Sequence, residues 1–277
     1  MSSENNHDSH GPKIYLLPNL MTAGNLFCGF AAILNILDAV IQMNSGLDPA
    51  AKLYAAIWFI LGACIFDLLD GRLARLGGSE SAFGREFDSL ADIVSFGVAP
   101  ALLTFHIVLR DFDRYGWLIA FVYLACGALR LARFNCVAAQ QGDGNAPKDF
   151  EGFPIPAAAG LIASLTLGML WLDAGQKEIG PWKFGLPPLM LFLSFMMFSR
   201  VSYPSFKGVN WRTRRSIPKF IGIIVVLIFT AMNYEWMPAV LFIAYLLYGL
   251  ARPLISHAWR KEIEAEDEDE DAENNRA

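Results

Sequence analysis

Residues 67–92, DLLDGRLARLGGSESAFGREFDSLAD, place four aspartates at the facing ends of two apolar segments. Asp67 and Asp70 close the first segment, and Asp88 and Asp92 open the next one. Spacings of three and four put each pair on one helical face, and a short connection makes the two helices antiparallel neighbours. The sequence therefore predicts that four carboxylates converge on one cavity near a membrane interface.

The composition around this stretch is that of a polytopic membrane protein. Of 277 residues, 55% are hydrophobic and only 18% are charged, and the mean hydropathy is +0.37. These values are too apolar for a soluble enzyme of this length, and they exclude a disordered chain, which needs low hydrophobicity and high charge. We predict an all-α helical bundle that is embedded in a membrane.

Eight segments have the size and composition of membrane spans. A helix needs about 20 mostly apolar residues to cross a hydrocarbon core of about 30 Å. A tight connection at 233–236 could instead be a re-entrant bend, which leaves seven spans as an alternative. The eight predicted spans are approximately 19–43, 51–76, 82–109, 115–138, 153–172, 184–200, 217–233 and 236–256.

The distribution of basic residues predicts the orientation of these spans. If the N-terminus is cytoplasmic, most of the 22 Lys and Arg residues face the cytoplasm, as the positive-inside rule requires. The opposite face then receives only Lys52, Arg110, Arg114, Lys177 and Lys183. We therefore expect a multi-pass protein of the cell's inner membrane, with the aspartates at the cytoplasmic face.

The two ends of the chain differ from the apolar body. Residues 1–12 are mostly polar and lack the basic-then-apolar order of a cleaved signal peptide. Residues 262–277, EIEAEDEDEDAENNRA, are strongly acidic and cannot bury apolar surface. We predict a disordered N-terminus, a membrane-embedded domain over 13–261 and a disordered, solvated tail.

Four carboxylates in close proximity require either protonation or a bound cation. Oxygen-only ligands favour Mg²⁺ or Mn²⁺, and a pair of such ions would neutralise the aspartates and still attract a phosphate. Gly71 and Gly84 permit close approach of a ligand to the backbone, and Arg75 offers a fork for a phosphate oxygen. Two alternatives remain open: the acids pair with Arg72, Arg75 and Arg85, or they form an ion pathway.

The full spacing of this stretch resembles a family signature. Asp67-x2-Asp70-Gly71-x2-Ala74-Arg75-x8-Gly84-x3-Asp88-x3-Asp92 is similar to the motif of the CDP-alcohol phosphatidyltransferases. The resemblance implies a six-helix catalytic core, here with two further helices, which transfers a phosphatidyl group from CDP-diacylglycerol to an alcohol and releases CMP. It also implies a homodimer.

The same resemblance assigns roles to the motif residues. It implies two divalent ions, held by Asp67, Asp70, Asp88 and Asp92. Asp92 would also be the general base that takes the proton of the acceptor hydroxyl. The implied cytidine-diphosphate pocket is lined by Gly71, Ala74, Arg75 and Gly84.

Four further segments resemble the bacterial phosphatidylserine synthase branch of that family. They are LPNLMTAGNLFCGF (17–30), ALRLARFN (128–135), FEGFPIPAAAG (150–160) and SYPSFKG (202–208). The branch usually has leucine at the position of Phe153. The resemblance implies that L-serine is the acceptor and that phosphatidylserine is the product.

A serine acceptor carries a carboxylate, which calls for an arginine near the metals. Arg130 and Arg133 lie three residues apart at the predicted cytoplasmic end of the fourth span, although basic residues there are also common topology anchors. The loop 150–157 could close over the acceptor. The predicted serine-binding residues are Arg130, Arg133, Asn135 and Pro154.

Polar residues at the entry to the first span are candidates for the donor site. Asn19, Thr22 and Asn25 recur at a spacing of three, which puts them on one helical face. Contact with the cytidine head and interhelical hydrogen bonding are both open readings. Lys207, beside Tyr203 in a basic segment, is a candidate for binding CDP-diacylglycerol or anionic membrane lipids.

Transfer of the phosphatidyl group to L-serine is the function that these residues favour. Glycerol 3-phosphate or inositol phosphate is the alternative acceptor within the family. A cation- or proton-coupled transporter is the alternative from another class, but the sequence has no internal repeat of the kind that many transporters carry. No feature of the sequence suggests a nucleic-acid partner.

Overall fold

The computed structural model describes residues 16–76, 82–141, 149–174, 180–199, 202–204 and 217–251. The predicted disordered ends, 1–12 and 262–277, lie outside the described residues, as does Lys207. The described helices are α1 (Leu16–Asn44), α2 (Ala50–Leu76), α3 (Ala82–Asp92), α4 (Ala99–Ile107), α5 (Asp113–Gln141), α6 (Ile155–Ala174), α7 (Leu186–Phe198), α8 (Ile217–Met232) and α9 (Met237–Ala251). Short 3₁₀ turns, Leu109–Phe112 and Gly180–Gly185, precede α5 and α7.

The helical membrane fold predicted from composition is confirmed. Five segments of the described chain are long and apolar enough to cross a membrane: Pro18–Asn44, Ala50–Gly71, Phe83–Ile107, Leu109–Val137 and Ile155–Leu172. Helices α7, α8 and α9 have 13, 16 and 15 residues, which span about 20–24 Å at about 1.5 Å per residue. The count of eight crossings, and the alternative of seven, therefore stays a prediction.

The predicted third span is one rod with an irregular middle. Asp92 ends α3 with helical backbone angles, and the chain continues through a π-helical turn, Ile93–Val98, into α4. Two hydroxyl groups hold the wider turn: one belongs to the turn itself and bonds to α1, and the other comes from α5. Ser95 Oγ donates to the backbone oxygen of Asn25 at 2.9 Å, and the Tyr123 hydroxyl donates to the Phe96 oxygen at 3.0 Å. Such turns are frequently found at functional sites.

The core lies between the longer helices, and the outer faces are apolar. Helices α1 and α2 form an antiparallel pair, α2 also packs on α6, and α5 packs on α7. Ile57, Phe96 and Leu161 are fully buried in this core. Large side chains such as Phe27 and Leu227 are exposed instead. Exposed apolar faces on long helices are what a lipid environment accommodates.

Two short strands join segments that are far apart in the chain. Strand β1 (Asp149–Glu151) pairs with β2 (Ser202–Pro204) in antiparallel fashion, with Phe150 opposite Tyr203. Gly152 follows β1 with a φ of +83°, and the Phe153 N–H donates to the Met196 oxygen at 3.0 Å. The two segments that resemble the phosphatidylserine synthase branch are therefore neighbours beside the end of α7.

Candidate active site

Three of the four aspartates form a compact group. Asp67 and Asp70 in the C-terminal part of α2, together with Asp88 in α3, each offer a carboxylate oxygen within 4.8 Å of the other two. Asp70 is buried and also accepts a hydrogen bond from the backbone of Gly71. The i, i+3 spacing on α2 and the antiparallel approach of α3 produce this group, which holds three of the four carboxylates that the sequence predicted to converge.

Asp92 lies one helical turn beyond Asp88, outside the three-carboxylate group but within its electrostatic range. It is only 5% exposed. The Asn25 side-chain amide on α1 donates to its Oδ1 at 3.0 Å. A carboxylate that is held at one oxygen cannot rotate freely, so Asn25 fixes the orientation of Asp92.

Helix α1 holds a second carboxylate in the same way. Thr22 Oγ1 donates to Asp70 Oδ2 at 3.2 Å, and also contacts the Pro18 oxygen at 3.2 Å. Thr22 and Asn25 are both buried. The sequence left two roles open for this polar face, contact with the cytidine head and hydrogen bonding between helices. In the structure, Thr22 and Asn25 make interhelical hydrogen bonds to the aspartates. Asn19 differs, because among the described residues its buried Nδ2 has no hydrogen-bond partner.

The donor set of this cluster fits a divalent cation. Carboxylate oxygens within 4.8 Å of one another can share an ion whose bonds to oxygen are about 2.0–2.6 Å long. The cationic group found beside them in the described chain is Arg130, which interacts with Asp92 and Asp67. One guanidinium cannot balance four ionised carboxylates in a poorly solvated site, so the cluster needs either protonation or additional positive charge, and its oxygen donors suit a divalent cation.

Arg130 is the arginine of the predicted serine site that reaches the aspartates. It lies on α5 and is 8% exposed, and its neighbours include Tyr245 of α9 besides the two aspartates. Among the described residues its buried Nε has no hydrogen-bond acceptor. A buried guanidinium with an unused donor is suited to bind an anionic group.

Two other predicted serine-binding residues on α5, Arg133 and Asn135, bond to helices α7 and α3. Arg133 donates to the backbone oxygens of Phe198 and Ser199, each at 3.4 Å, where it caps the end of α7. Asn135 donates to Ser89 Oγ at 2.9 Å and to Glu86 Oε2 at 3.3 Å, which ties α5 to α3. Both side chains thus bond to neighbouring helices, although Arg133 remains within electrostatic range of Arg130, and their role in serine binding stays a prediction.

The 150–157 loop is anchored to α2 as well as to α7. Pro154 is half-buried where the chain enters α6, and its backbone oxygen accepts from Ala158 at 3.0 Å. The Cys64 thiol, one turn before Asp67, contacts the Pro156 oxygen at 3.5 Å. The loop therefore enters α6 beside the aspartate-bearing end of α2.

The residues predicted for the cytidine-diphosphate pocket are described only in part. Gly71 and Gly84 lie in α2 and α3, next to Asp70 and one turn before Asp88. Ala74 and Arg75 lie in the last turns of α2, but their side chains are outside the described residues, as are those of Tyr203 and Lys207. The pocket residues therefore stay predictions.

Sequence reasoning missed three hydroxyl-bearing residues that surround this site. Ser95 and Tyr123 support the π-helical turn that follows Asp92, and Tyr245 approaches Arg130. Isolated polar groups inside apolar helices were the available signal, since they need partners in a membrane. Their partners, however, lie on other helices and are not visible from spacing.

Comparisons with known proteins agree with this geometry. A model of the CDP-alcohol phosphatidyltransferase family matches residues 15–201. A Helicobacter pylori protein named CDP-diacylglycerol–serine O-phosphatidyltransferase is 34% identical over 242 residues, covering 86% of this chain and 91% of its own. A Bacillus subtilis protein of the same name is 32% identical over 193 residues, covering 69% and 91%. An archaetidylserine synthase of Methanothermobacter thermautotrophicus is 34% identical over 199 residues, covering 71% and 73%.

Proposed function

The chain belongs to the CDP-alcohol phosphatidyltransferase family, and we propose that it transfers the phosphatidyl group of CDP-diacylglycerol to L-serine, giving phosphatidylserine and CMP. Relatives whose names state a serine acceptor cover most of this chain. The observation that carries the proposal is the buried guanidinium of Arg130 beside Asp92 and Asp67. This arrangement supports a serine acceptor, because a guanidinium beside the aspartates is suited to bind the carboxylate of an amino acid.

The aspartates are proposed to hold two divalent ions, Mg²⁺ or Mn²⁺. Asp67, Asp70 and Asp88 supply clustered oxygens, and Asp92 adds a fourth carboxylate within their electrostatic range. When bound, such ions neutralise the diphosphate and the charge that develops on the leaving phosphate. The hydrogen bond from Thr22 orients Asp70 for this role.

Asp92 is proposed as the general base. Asn25 holds its Oδ1, so the carboxylate is positioned to take the proton of the serine hydroxyl. The serine oxygen then bonds to the phosphorus that carries the diacylglycerol, and the bond from that phosphorus to the CMP oxygen breaks. Phosphoryl transfer depends mostly on such positioning and on charge neutralisation.

The acceptor is proposed to enter between α5 and the 150–157 loop. Arg130 would bind the serine carboxylate, while Pro154 and the buried Phe153 shape the adjacent wall. Arg133 and Asn135 would position the site without touching serine, because Arg133 fixes the end of α7 and Asn135 fixes the spacing of α5 from α3. Gly71, Gly84 and Asn19, with Ala74, Arg75 and Lys207, are proposed to bind the donor.

The protein is membrane-embedded, and we place it in the inner membrane with the aspartates facing the cytoplasm. The bias of Lys and Arg between alternate connections supports this orientation. Asp38 and Lys52 form an ion pair of 2.8 Å, and Lys52 is about 27 Å along α2 from Asp70 at about 1.5 Å per residue. That separation fits opposite membrane faces. A homodimer is part of the same proposal.

The proposal is tested by CMP release from detergent-purified protein given CDP-diacylglycerol and Mn²⁺. L-Serine, glycerol 3-phosphate and inositol 1-phosphate are offered separately, and phosphatidylserine is identified by mass spectrometry. We expect turnover with serine alone, loss of turnover on chelation of the metal, and no turnover by Asp92→Asn. Turnover with another acceptor alone would overturn the assignment of serine. Ion flux in liposomes without CMP release would favour the transporter instead.

A further inference from the structure

Helix α9 brings a tyrosine to the acceptor side of the site from outside the family match. The match ends at residue 201, whereas α9 runs over Met237–Ala251. We propose that the Tyr245 hydroxyl, together with the Arg130 guanidinium, receives the carboxylate of the amino-acid acceptor and so contributes to the selection of serine. This inference rests on the proposed function.

The packing of α9 against α6 fixes the direction of Tyr245. Gly160 of α6 lacks a Cβ, and the ring of Phe242 fills that space. Leu246 and Gly249 are buried on the same side of α9. Residues at i, i+3, i+4 and i+7 share a helical face, so Tyr245 faces the bundle with Phe242 and Leu246 and is partly buried against its core.

Tyr245 lies between the acceptor loop and the buried arginine. Its ring centroid is 5.8 Å from that of Phe153, a fully buried residue whose backbone N–H is held by Met196. The Tyr245 hydroxyl is also within electrostatic range of the Arg130 guanidinium. The two rings are tilted by 37° to each other, so the buried Phe153 ring supports the tyrosine ring directly.

The chemistry of the acceptor explains why a phenol is useful at this place. The serine carboxylate must bind close to four aspartates, which repel it, so donors besides a single guanidinium are needed. A tyrosine hydroxyl can accept from an arginine N–H and donate to a carboxylate oxygen at the same time. Because the phenol is neutral, it adds a donor without adding a buried charge.

The test compares Tyr245→Phe with Tyr248→Phe, a matched control on the same helix whose side chain is exposed. Initial rates of CMP release are measured against the concentrations of L-serine, of L-serinamide, which lacks the negative charge, and of CDP-diacylglycerol. For Tyr245→Phe we expect the KM for L-serine to rise about tenfold, the effect of losing one hydrogen bond to a charged group. The preference for L-serine over L-serinamide should fall by a similar factor, while the KM for CDP-diacylglycerol stays unchanged.

The outcomes separate this inference from the proposed function. An unchanged KM for L-serine in Tyr245→Phe, or an equal loss with L-serine and L-serinamide, would overturn the role of Tyr245 and leave the proposed function standing. A wild-type protein that turns over no serine would overturn both. The thermal unfolding midpoint of each variant in detergent shows whether a loss of rate comes from a loss of folded protein.

Discussion

At the scale of single residues, two hydrogen bonds from α1 decide how the aspartates are held. Asn25 donates to Asp92 and Thr22 donates to Asp70, and both donors are buried. Groups that orient a metal-binding or catalytic carboxylate commonly affect activity by 10–100-fold when they are removed. The polar face of α1 therefore acts on the chemistry through the carboxylates.

Asn25→Ala tests this role. We expect kcat for CMP release to fall about 10–100-fold, because Asp92 loses the donor that fixes its orientation. The backbone oxygen of Asn25 keeps its hydrogen bond from Ser95, so the packing of α1 is retained. Asn35→Ala is the matched control, since Asn35 lies on the same helix and, in the part of the chain that the structure describes, its amide donates to the Ala31 oxygen one turn away. Equal rates for the two variants would contradict the assignment.

The residue scale also shows how far the sequence could predict the site. The convergence of Asp67, Asp70 and Asp88 follows from helical spacing and a short connection, and in the structure their carboxylates lie together. Sequence spacing alone does not bring Arg130 and Asn135 together in the same way. Five residues at about 100° each place the two side chains about 140° apart around α5, so they meet different neighbours.

At the scale of elements, the close approach of α1 to the π-helical turn positions Asp92. A Cβ at Gly29 would lie 2.7 Å from the Ser95 Cα, a contact that ordinary packing does not allow. Gly29 is therefore required by the distance between the two elements. The π-helical turn itself has no signal in the sequence, because an apolar segment with a wider turn has the same composition as a regular helix.

Gly29→Ala should push α1 away from the π-helical turn. We expect a destabilisation of about 1–3 kcal/mol from overpacking, seen as a lower thermal unfolding midpoint in detergent, together with a loss of turnover. Gly62→Ala is the control, because its Cβ would meet only the Cys28 sulfur at an ordinary 3.8 Å. If both variants unfold at the wild-type temperature, the approach of α1 to this turn is not tight.

The turn that leads from β1 into α6 is the second element that positions the site. Gly152 has a φ of +83°, and an added Cβ would also collide with the Met197 oxygen and approach the Ser199 oxygen at 3.1 Å. Substitution would displace Phe153 and Pro154 from the end of α7. The pairing of β1 with β2 was not predicted, since two three-residue strands far apart in sequence carry no periodicity.

Gly152→Ala is expected to raise the KM for serine more than the KM for CDP-diacylglycerol. Gly46→Ala provides the comparison, because Gly46 also has a positive φ, +71°, but no atom of the described residues lies within 4 Å of its added Cβ. Both variants carry the backbone strain, so a difference between them reports the collision. Identical kinetic constants in the two variants would show that the loop does not shape the acceptor site.

At the scale of the whole molecule, the proposed orientation assigns each connection to one side of the membrane. Composition predicted the helical membrane fold, because every long helix needs an apolar surface against lipid. The number of crossings could not be predicted as well, since α7, α8 and α9 are shorter than a typical span. The membrane face on which the aspartates lie is inferred from the distribution of Lys and Arg, and it is tested by a separate measurement.

Labelling of single cysteines tests that sidedness. Cys136 is exposed near the C-terminal end of α5, next to Asn135, which bonds to α3 on the side of the aspartate cluster. Ser45 lies in the turn between α1 and α2, at the opposite end of the bundle. In chains with one cysteine each, a membrane-impermeant maleimide that reaches the periplasmic face should label Ser45→Cys and leave Cys136 unlabelled. Inside-out vesicles should give the reverse pattern. Labelling of Cys136 from the periplasmic face would place the aspartates on the other side.

The most direct test of the central claim follows the oxygen atom of the acceptor. Purified protein is given CDP-diacylglycerol, Mn²⁺ and L-serine that carries ¹⁸O in its hydroxyl group, and the products are analysed by mass spectrometry. Attack by the serine hydroxyl on the phosphatidyl phosphorus predicts one ¹⁸O in each phosphatidylserine, none in CMP, and neither product from Asp92→Asn. Unlabelled phosphatidylserine, ¹⁸O in CMP, or full activity of Asp92→Asn would contradict the account.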